Sequence, residues 1–406
     1  MTVGVGGSNA ERELAELRPM ADALEPISAA EREARIAHAQ QLMREQGVDA
    51  LYLDASTSLF YFTGIRARQS ERLHGAIIPA QGQLAYISPA FEEAKLRESI
   101  QVVGLIRTWE EHESPSALVV DTFAELGVAK GTIAIDEATP FFTFDGLRSA
   151  ANAYEFINGA AITGACRRLK SANELAQMQR AKDITLQVHR ATARMLHEGI
   201  STEQVQSFIA AAHRRLGVDG ALSFCIVLFG EATAYPHGVP YSQNLRDGDM
   251  VLIDTGATID GYHSDITRSY VFGQPSARYR EVWDLEKAAQ AAAFAAAQIG
   301  APCEAVDAAA RRVIEAGGFG PGYAVPGLPH RTGHGIGLDV HEWEYLVAGN
   351  QTLLAPGMCF SNEPMICIYG EFGIRLEDHF FMTPNGARWF TPPSFSVDDP
   401  FGVEVD

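Results

Sequence analysis

The sequence predicts a two-domain chain of mixed α/β class: an α/β layered half over residues 1–166, followed by an α+β half over 167–406 built around two acidic hairpins. Three observations carry this reading. At 406 residues the chain exceeds the size at which one hydrophobic core stops growing. Short apolar runs alternate with helical stretches before Arg167. After it, two ribbons of strand-like sequence each carry a pair of spaced carboxylates.

The elements follow in chain order. Ser28-Ala29-Ala30-Glu31 is a capping box, and the helix it opens runs to Gly47, a residue suited to the left-handed C′ position. Strands are expected at Val48–Leu53, Gly75–Ile78, Leu84–Ile87, Val102–Ile106 and Thr132–Ile135, with helices near Phe91–Leu96 and Ser116–Leu126 between them. Catalytic residue types are sparse in this half. Its scattered histidines, His38, His74 and His112, read as surface or hydrogen-bonded structural residues rather than ligands. A second capping box, Ser171-Ala172-Asn173-Glu174, starts a long helix reaching Met195. Helices are also expected over Thr202–Leu216, Asp284–Ile299 and Cys303–Ala316, with a strand at Leu222–Phe229.

The stretch Val251–Tyr270 reads as two strands folding back on each other through Asp260-Gly261. A pivot at Ile259 and Asp260 would place Asp254 directly opposite Asp265, with Cβ atoms about 5 Å apart. Carboxylates held that close on apolar strands repel unless a cation lies between them, and two metal ions about 3.5–4 Å apart are a natural occupant. The pattern repeats further along. Glu363 and Glu377 flank Gly370 symmetrically, so a second hairpin presents two glutamates as the first presents two aspartates. Between the ribbons lies His330-Arg331-Thr332-Gly333-His334-Gly335, then His341. Four carboxylates and an imidazole suit Mn²⁺, Co²⁺, Zn²⁺ or Fe²⁺ better than a thiolate site would.

Composition narrows the partners. Fifty-one acidic against 32 basic residues give a net charge of −19, which repels nucleic acid and anionic membranes and favours small substrates. Five scattered cysteines, without CxxC spacing, fit a reduced compartment as inert core residues. The N-terminus has no basic stretch leading into an apolar one, and the Ala288–Ala297 run is too short to span a bilayer. The expectation is a soluble, cytoplasmic protein with no membrane partner.

The residues of the second half, from 167 to 392, resemble the pita-bread-fold metallopeptidases that include Xaa-Pro dipeptidase (prolidase), aminopeptidase P and methionine aminopeptidase. The first half, from Arg32-Glu33-Ala34-Arg35 to Tyr61-Phe62-Thr63-Gly64, resembles the N-terminal domain of prolidases and aminopeptidases P, which methionine aminopeptidases lack. The resemblance implies a C-terminal pita-bread (creatinase/aminopeptidase-like) domain binding two divalent ions, Mn²⁺ foremost and Zn²⁺ or Co²⁺ otherwise. It implies Asp254, Asp265, His334, Glu363 and Glu377 as ligands, with Asp265 and Glu377 bridging. It further implies that a metal-bridging hydroxide attacks the scissile carbonyl of a Xaa-Pro dipeptide and that Glu363 shuttles the proton. His237 and His341 would contact substrate and the tetrahedral intermediate, and Arg375 would relay or anchor. A homodimer is implied as well.

Three alternatives stand beside this. One is aminopeptidase P acting on longer peptides. Another is a dimethylsulfoniopropionate lyase, which carries an aspartate two residues after the first ligand, where this chain has Gly256. The third is a metal-free binding protein, whose relatives lose ligands that this chain keeps. Trp343-Glu344-Tyr345 also departs from relatives that are proline-rich after the second histidine, which reshapes the wall beside the substrate.

Overall fold

The computed structural model describes residues 1–21, 24–218 and 222–403. The chain divides into two compact units, Ile27–Arg167 on one side and Met1–Pro26 with Arg168–Asp406 on the other. The expected first domain, 1–166, thus differs from the observed unit at its start. Residues 1–26 find their partners in the later unit: the Thr2 amide donates to Gly273 O at 2.9 Å and that of Gly6 to Ala193 O at 2.8 Å. Helix α1 (Ala10–Glu16) buries Glu13 against Arg194 Nε at 2.8 Å, and Leu17 joins the apolar cluster of Ile184, Val188 and Phe208. Such long-range pairings leave no local sequence pattern.

In Ile27–Arg167, Ser28 caps α2 (Ala29–Gln46), which ends on Gly47 in the left-handed conformation. Next come β1 (Ala50–Asp54), α3 (Thr57–Thr63), β2 (Gly75–Pro79), β3 (Ala85–Pro89), α4 (Glu93–Ser99) and β4 (Leu105–Trp109). Then α5 (Pro115–Glu125), β5 (Gly131–Ile135), α6 (Phe141–Ala150), β6 (Tyr154–Asn158) and α7 (Ala160–Arg168) complete the unit. The strands form one mixed sheet in the order β4-β3-β2-β1-β5-β6. Strand β4 begins three residues later than expected. The apolar run that suggested Val102–Ile106 includes Gly104, which packs directly over Leu84 and Tyr86, and pairing with β3 starts only at Leu105.

The other unit opens on α8 (Ala172–Met195) and α9 (Thr202–Leu216), both with complete capping boxes. It continues through β7 (Phe224–Phe229), β8 (Met250–Gly256), β9 (Thr258–Ile259), β10 (Tyr262–His263) and β11 (Ile266–Val271). Helices α10 (Ala277–Ala296) and α11 (Cys303–Ala316) follow, then β12 (Gly333–Gly335), β13 (Glu342–Leu346), β14 (Cys359–Asn362), β15 (Met365–Ile368), β16 (Phe372–Arg375), β17 (Asp378–Thr383) and β18 (Gly386–Trp389). The strands form two larger sheets, β11-β8-β7 and β13-β12-β14-β17-β18, and two separate two-stranded ribbons, β9–β10 and β15–β16; the acidic residues lie on these strands or in the short gaps between them. Helices α10 and α11 pack one apolar cluster against these strands through Trp283, Val306 and Ile314. Helices α8 and α9 pack another through Ile184, Val205 and Ile209. Among the described residues no helix is long and apolar enough to cross a membrane.

Candidate active site

The first ribbon turns on Asp260 and Gly261, at φ +46° and +85°, the paired positive values of a two-residue I′ turn. The turn therefore lies one residue later than the expected pivot, and the register shifts by two: Asp254 faces Thr267, not Asp265. Direct opposition of the two aspartates is corrected to a diagonal placement. Because the slip is even, both still point to the same face. Asp265 itself sits in the break between β10 and β11, which α8 holds from behind. Tyr262 Oη donates to Glu174 Oε1 at 2.9 Å, Lys182 Nζ to His263 O at 3.0 Å, and the Thr185 and Ser264 hydroxyls share a 2.7 Å hydrogen bond.

The second ribbon keeps its expected register. Asn362 faces Asp378 and Met365 faces Arg375, so Glu363 and Glu377 stand opposite each other in the gap between the β14–β17 and β15–β16 pairings. His334 enters from β12 between two glycines that tolerate no side chain: a Cβ on Gly333 would lie 2.2 Å from Ser361 O, and one on Gly335 2.8 Å from Glu342 O. The His334 amide donates to Ser361 Oγ at 2.8 Å, and Asp307 on α11 accepts from the Thr332 hydroxyl at 2.7 Å. His334 Nδ1 lies 2.9 Å from Gly335 O, which fixes the proton on Nδ1 and turns Nε2 inward.

These elements bring four carboxylates and one imidazole to one buried point. Ligand-type atoms of Asp265, His334 and Glu377 all lie within 4.8 Å of one another. His334 Nε2 stands 3.1 Å from Glu363 Oε1 and 3.6 Å from Asp265 Oδ2. Asp254 is set to one side, its Oδ2 taken by Arg375 Nη2. Arg375 Nε also donates to Thr267 Oγ1 at 2.9 Å, and that hydroxyl donates to Glu377 Oε2 at 2.7 Å, so one arginine steadies two of the acids. Its remaining donor reaches Pro236 O at 3.2 Å, tying the Tyr235-Pro236-His237 segment to the same point.

The charges do not balance within the protein. Burial raises the pKa of Asp254 well above its usual range, with the Arg375 charge opposing and Asp265 and Glu363 adding to the rise. Glu377 is raised by burial and then by Asp265, Glu363 and Asp254. Burial would lower His334, but its contacts with Asp265 and Glu363 outweigh that and raise it to about 9. Asp254 Oδ1, Asp265 Oδ1, Glu377 Oε1 and His334 Nε2 are buried without a hydrogen-bond partner. A buried acceptor left without a donor costs about 1–3 kcal/mol. The oxygen-rich donor set, with one imidazole nitrogen that a cation would hold in its deprotonated form, fits divalent cations.

His341 precedes β13 with its ring 4.2 Å from that of His334, and it is exposed. His237 is exposed too, and lines a cavity of about 270 Å³ with Ile226, Leu228 and Tyr241. One neighbour escaped the sequence reading. His379, fully buried with both nitrogens unpartnered, places Nε2 3.6 Å from Glu377 Oε1, and burial holds it neutral. Its position two residues after Glu377, on a strand of period two, was the available signal.

A model of the Creatinase/Prolidase N-terminal domain matches residues 35–169, and that of Metallopeptidase family M24 matches residues 176–384. The chain belongs to metallopeptidase family M24. It is 35% identical over 356 residues to "Probable dipeptidase PepE" of Mycobacterium tuberculosis, covering 87% of this chain and 92% of that protein. Among solved M24 structures, it is similar to the dipeptidase PepE of Mycobacterium ulcerans at 34% identity and a TM-score of 0.83, covering 91% of this chain and 97% of the other. It is also similar to the Xaa-Pro dipeptidase of Bacillus anthracis, at 25% identity and TM-score 0.80 over 90% and 99% of the two chains. Like other M24 enzymes it is a metal-dependent hydrolase with a pita-bread catalytic domain, and the family acts on small peptides.

Proposed function

We propose that the chain is a Xaa-Pro dipeptidase whose site holds two divalent ions, Mn²⁺ foremost, with Asp254, Asp265, His334, Glu363 and Glu377 as ligands and Asp265 and Glu377 shared between them. The observation that carries this reading is the set of four buried, unpartnered ligand atoms on Asp254, Asp265, Glu377 and His334. When bound, the ions supply Lewis acidity and make a water nucleophilic at neutral pH.

The chain's own groups do the rest. Glu363, beside His334 and reached by the Ser361 hydroxyl at 3.2 Å, takes the proton of the attacking water and returns it to the leaving imino nitrogen. His341 and His237 donate to the oxyanion as it forms. Arg375 holds Asp254 directly and Glu377 through Thr267, so its task in this account is to orient ligands.

Specificity follows from what a Xaa-Pro bond lacks. Its amide nitrogen has no hydrogen, so a wall pressed against the proline ring needs no acceptor there. Tyr235, His237 and Trp343 supply that wall; Tyr235 packs against Tyr369 at 5.2 Å between ring centroids, and Trp343 against Tyr345 at 4.7 Å. Ala-Ala would bury an unpaired N–H at about 1–3 kcal/mol, roughly tenfold to two-hundredfold in rate. With Mn²⁺-loaded protein, Ala-Pro should be cleaved at least about tenfold better than Ala-Ala and better than Ala-Pro-Ala. Equal kcat/KM for the two dipeptides removes the Xaa-Pro reading, and preference for the tripeptide turns it to an aminopeptidase. The lyase alternative finds no support at Gly256, where a Cβ would lie 2.1 Å from Ser264 O.

A further inference from the structure

Behind His341 lies a buried ion pair that no step above uses. Lys170 Nζ donates to Glu342 Oε2 at 2.7 Å, and the two side chains are only 2% and 6% exposed. The other oxygen, Oε1, accepts the backbone amides of Leu338 at 2.8 Å and Asp339 at 3.2 Å. The segment 337–342 is thereby closed on itself around one carboxylate, with His341 at its end. Gly337 completes the closure: a Cβ there would lie 2.7 Å from Glu342 Oε2, and its carbonyl accepts the His263 amide at 2.8 Å. Lys170 is in turn fixed by its own amide, which donates to Gly357 O at 2.9 Å.

We propose that Lys170 and Glu342 form a positioning pair that sets the His341 imidazole for catalysis, an inference that rests on the role given to His341 above. A carboxylate satisfying two loop amides already defines the loop, so a lysine is not needed to close it. Burying a cation on the far oxygen holds the carboxylate charged and aimed, which a neutral partner would not do. Displacement of a catalytic group by about 1 Å costs roughly 10²-fold in rate. Among the described residues the His341 ring packs on that of His334 and has no hydrogen bond of its own, so the loop is what places it.

The test is a double-mutant cycle in the full-length, Mn²⁺-loaded protein, with kcat, KM, metal content and thermal stability measured for every variant. Lys170→Met and Glu342→Gln should each lower kcat by roughly tenfold to a hundredfold with KM changed less than about threefold and metal content unchanged. Lys170→Arg should restore most of the loss. In a His341→Ala background the same substitutions should change kcat less than about twofold, because the group they position is gone. Arg168→Ala, which breaks the neighbouring 2.9 Å pair with Glu344, serves as the control and should leave kcat within about twofold. An equal loss in both backgrounds, with His341→Ala itself impaired, overturns the pair's role alone. A fully active His341→Ala overturns the role of His341, and the pair's catalytic role with it. If Lys170→Met does not fold, Glu342→Gln and Lys170→Arg decide the matter on the same criteria.

Discussion

Two sets of buried acids, one in each unit of the chain, are treated in opposite ways. In Ile27–Arg167, Asp54 and Asp136 are 4% and 1% exposed. Asp54 accepts from the Ala55 amide at 2.8 Å and from Tyr52 Oη at 3.1 Å, and Asp136 accepts from Ser56 Oγ at 2.6 Å. In the other unit Asp254, Asp265 and Glu377 are as deeply buried, yet each keeps an oxygen with no donor, and ligand-type atoms of Asp265 and Glu377 converge with His334. Burial of a carboxylate is therefore not the mark of a site. Convergent acceptors that the protein itself leaves unfilled are, because only a ligand can repay their desolvation.

The largest effects should come from the convergent set. Asp265→Asn, Glu377→Gln and His334→Ala should lose metal and activity together, beyond the roughly 10²–10³-fold typical of removing one oxyanion donor. Metal content by elemental analysis, measured beside turnover of Ala-Pro, checks this; a metal-free variant with wild-type turnover would break the comparison. His341→Ala should retain metal and fold while kcat falls about 10²–10³-fold.

A sharper contrast lies in stability without metal. Asp136→Asn removes a satisfied acceptor and should lower the stability of metal-free protein by about 1–3 kcal/mol. Glu377→Gln removes charge from a crowded, repelling cluster and should leave metal-free stability unchanged or raise it by a similar amount. Denaturant melts of the two variants after chelation read the signs directly. If both substitutions destabilise equally, the two classes of buried acid are not distinct.

The smallest effect is a pH dependence set by a satisfied group. His213 is buried, with Nδ1 3.0 Å from Ile209 O and Nε2 3.2 Å from the Thr185 hydroxyl, and burial pushes its pKa down to about 4. It is neutral when folded, whereas the unfolded imidazole takes a proton near pH 6.5. Its contribution is therefore full above pH 6.5 and is lost as pH falls from 6.5 toward 4, at most about 3 kcal/mol over that window. His213→Gln should be less stable at pH 8 but show a flatter acid limb in chelated protein.

Much of this was legible in the sequence, and the misses have physical causes. Helix α9 begins and ends where its caps place it, and α11 where its apolar spacing does, since those signals act within a few residues. The second ribbon's register was readable from the symmetry of Glu363 and Glu377 about Gly370. The first was off by two because Asp260, not only Gly261, adopts positive φ, moving the turn one residue along. Helix α3 went unseen because its residues are buried on every side, leaving no amphipathic stripe. Arg375 was singled out, but its hold on Asp254 and Thr267 depends on three strands meeting, as does the approach of His379 to Glu377. Cross-strand contacts of that kind are written only in the fold.

The expectations for the site all rest on one buried cluster binding two divalent ions through shared carboxylates. Mn²⁺ titration of chelated protein, followed by elemental analysis after gel filtration, tests it most directly. The wild type should bind about two ions per chain, and both Asp265→Asn and Glu377→Gln should show a clear loss of occupancy. Full occupancy retained in both variants, or wild-type protein that cleaves Ala-Pro with no divalent ion bound, would contradict it.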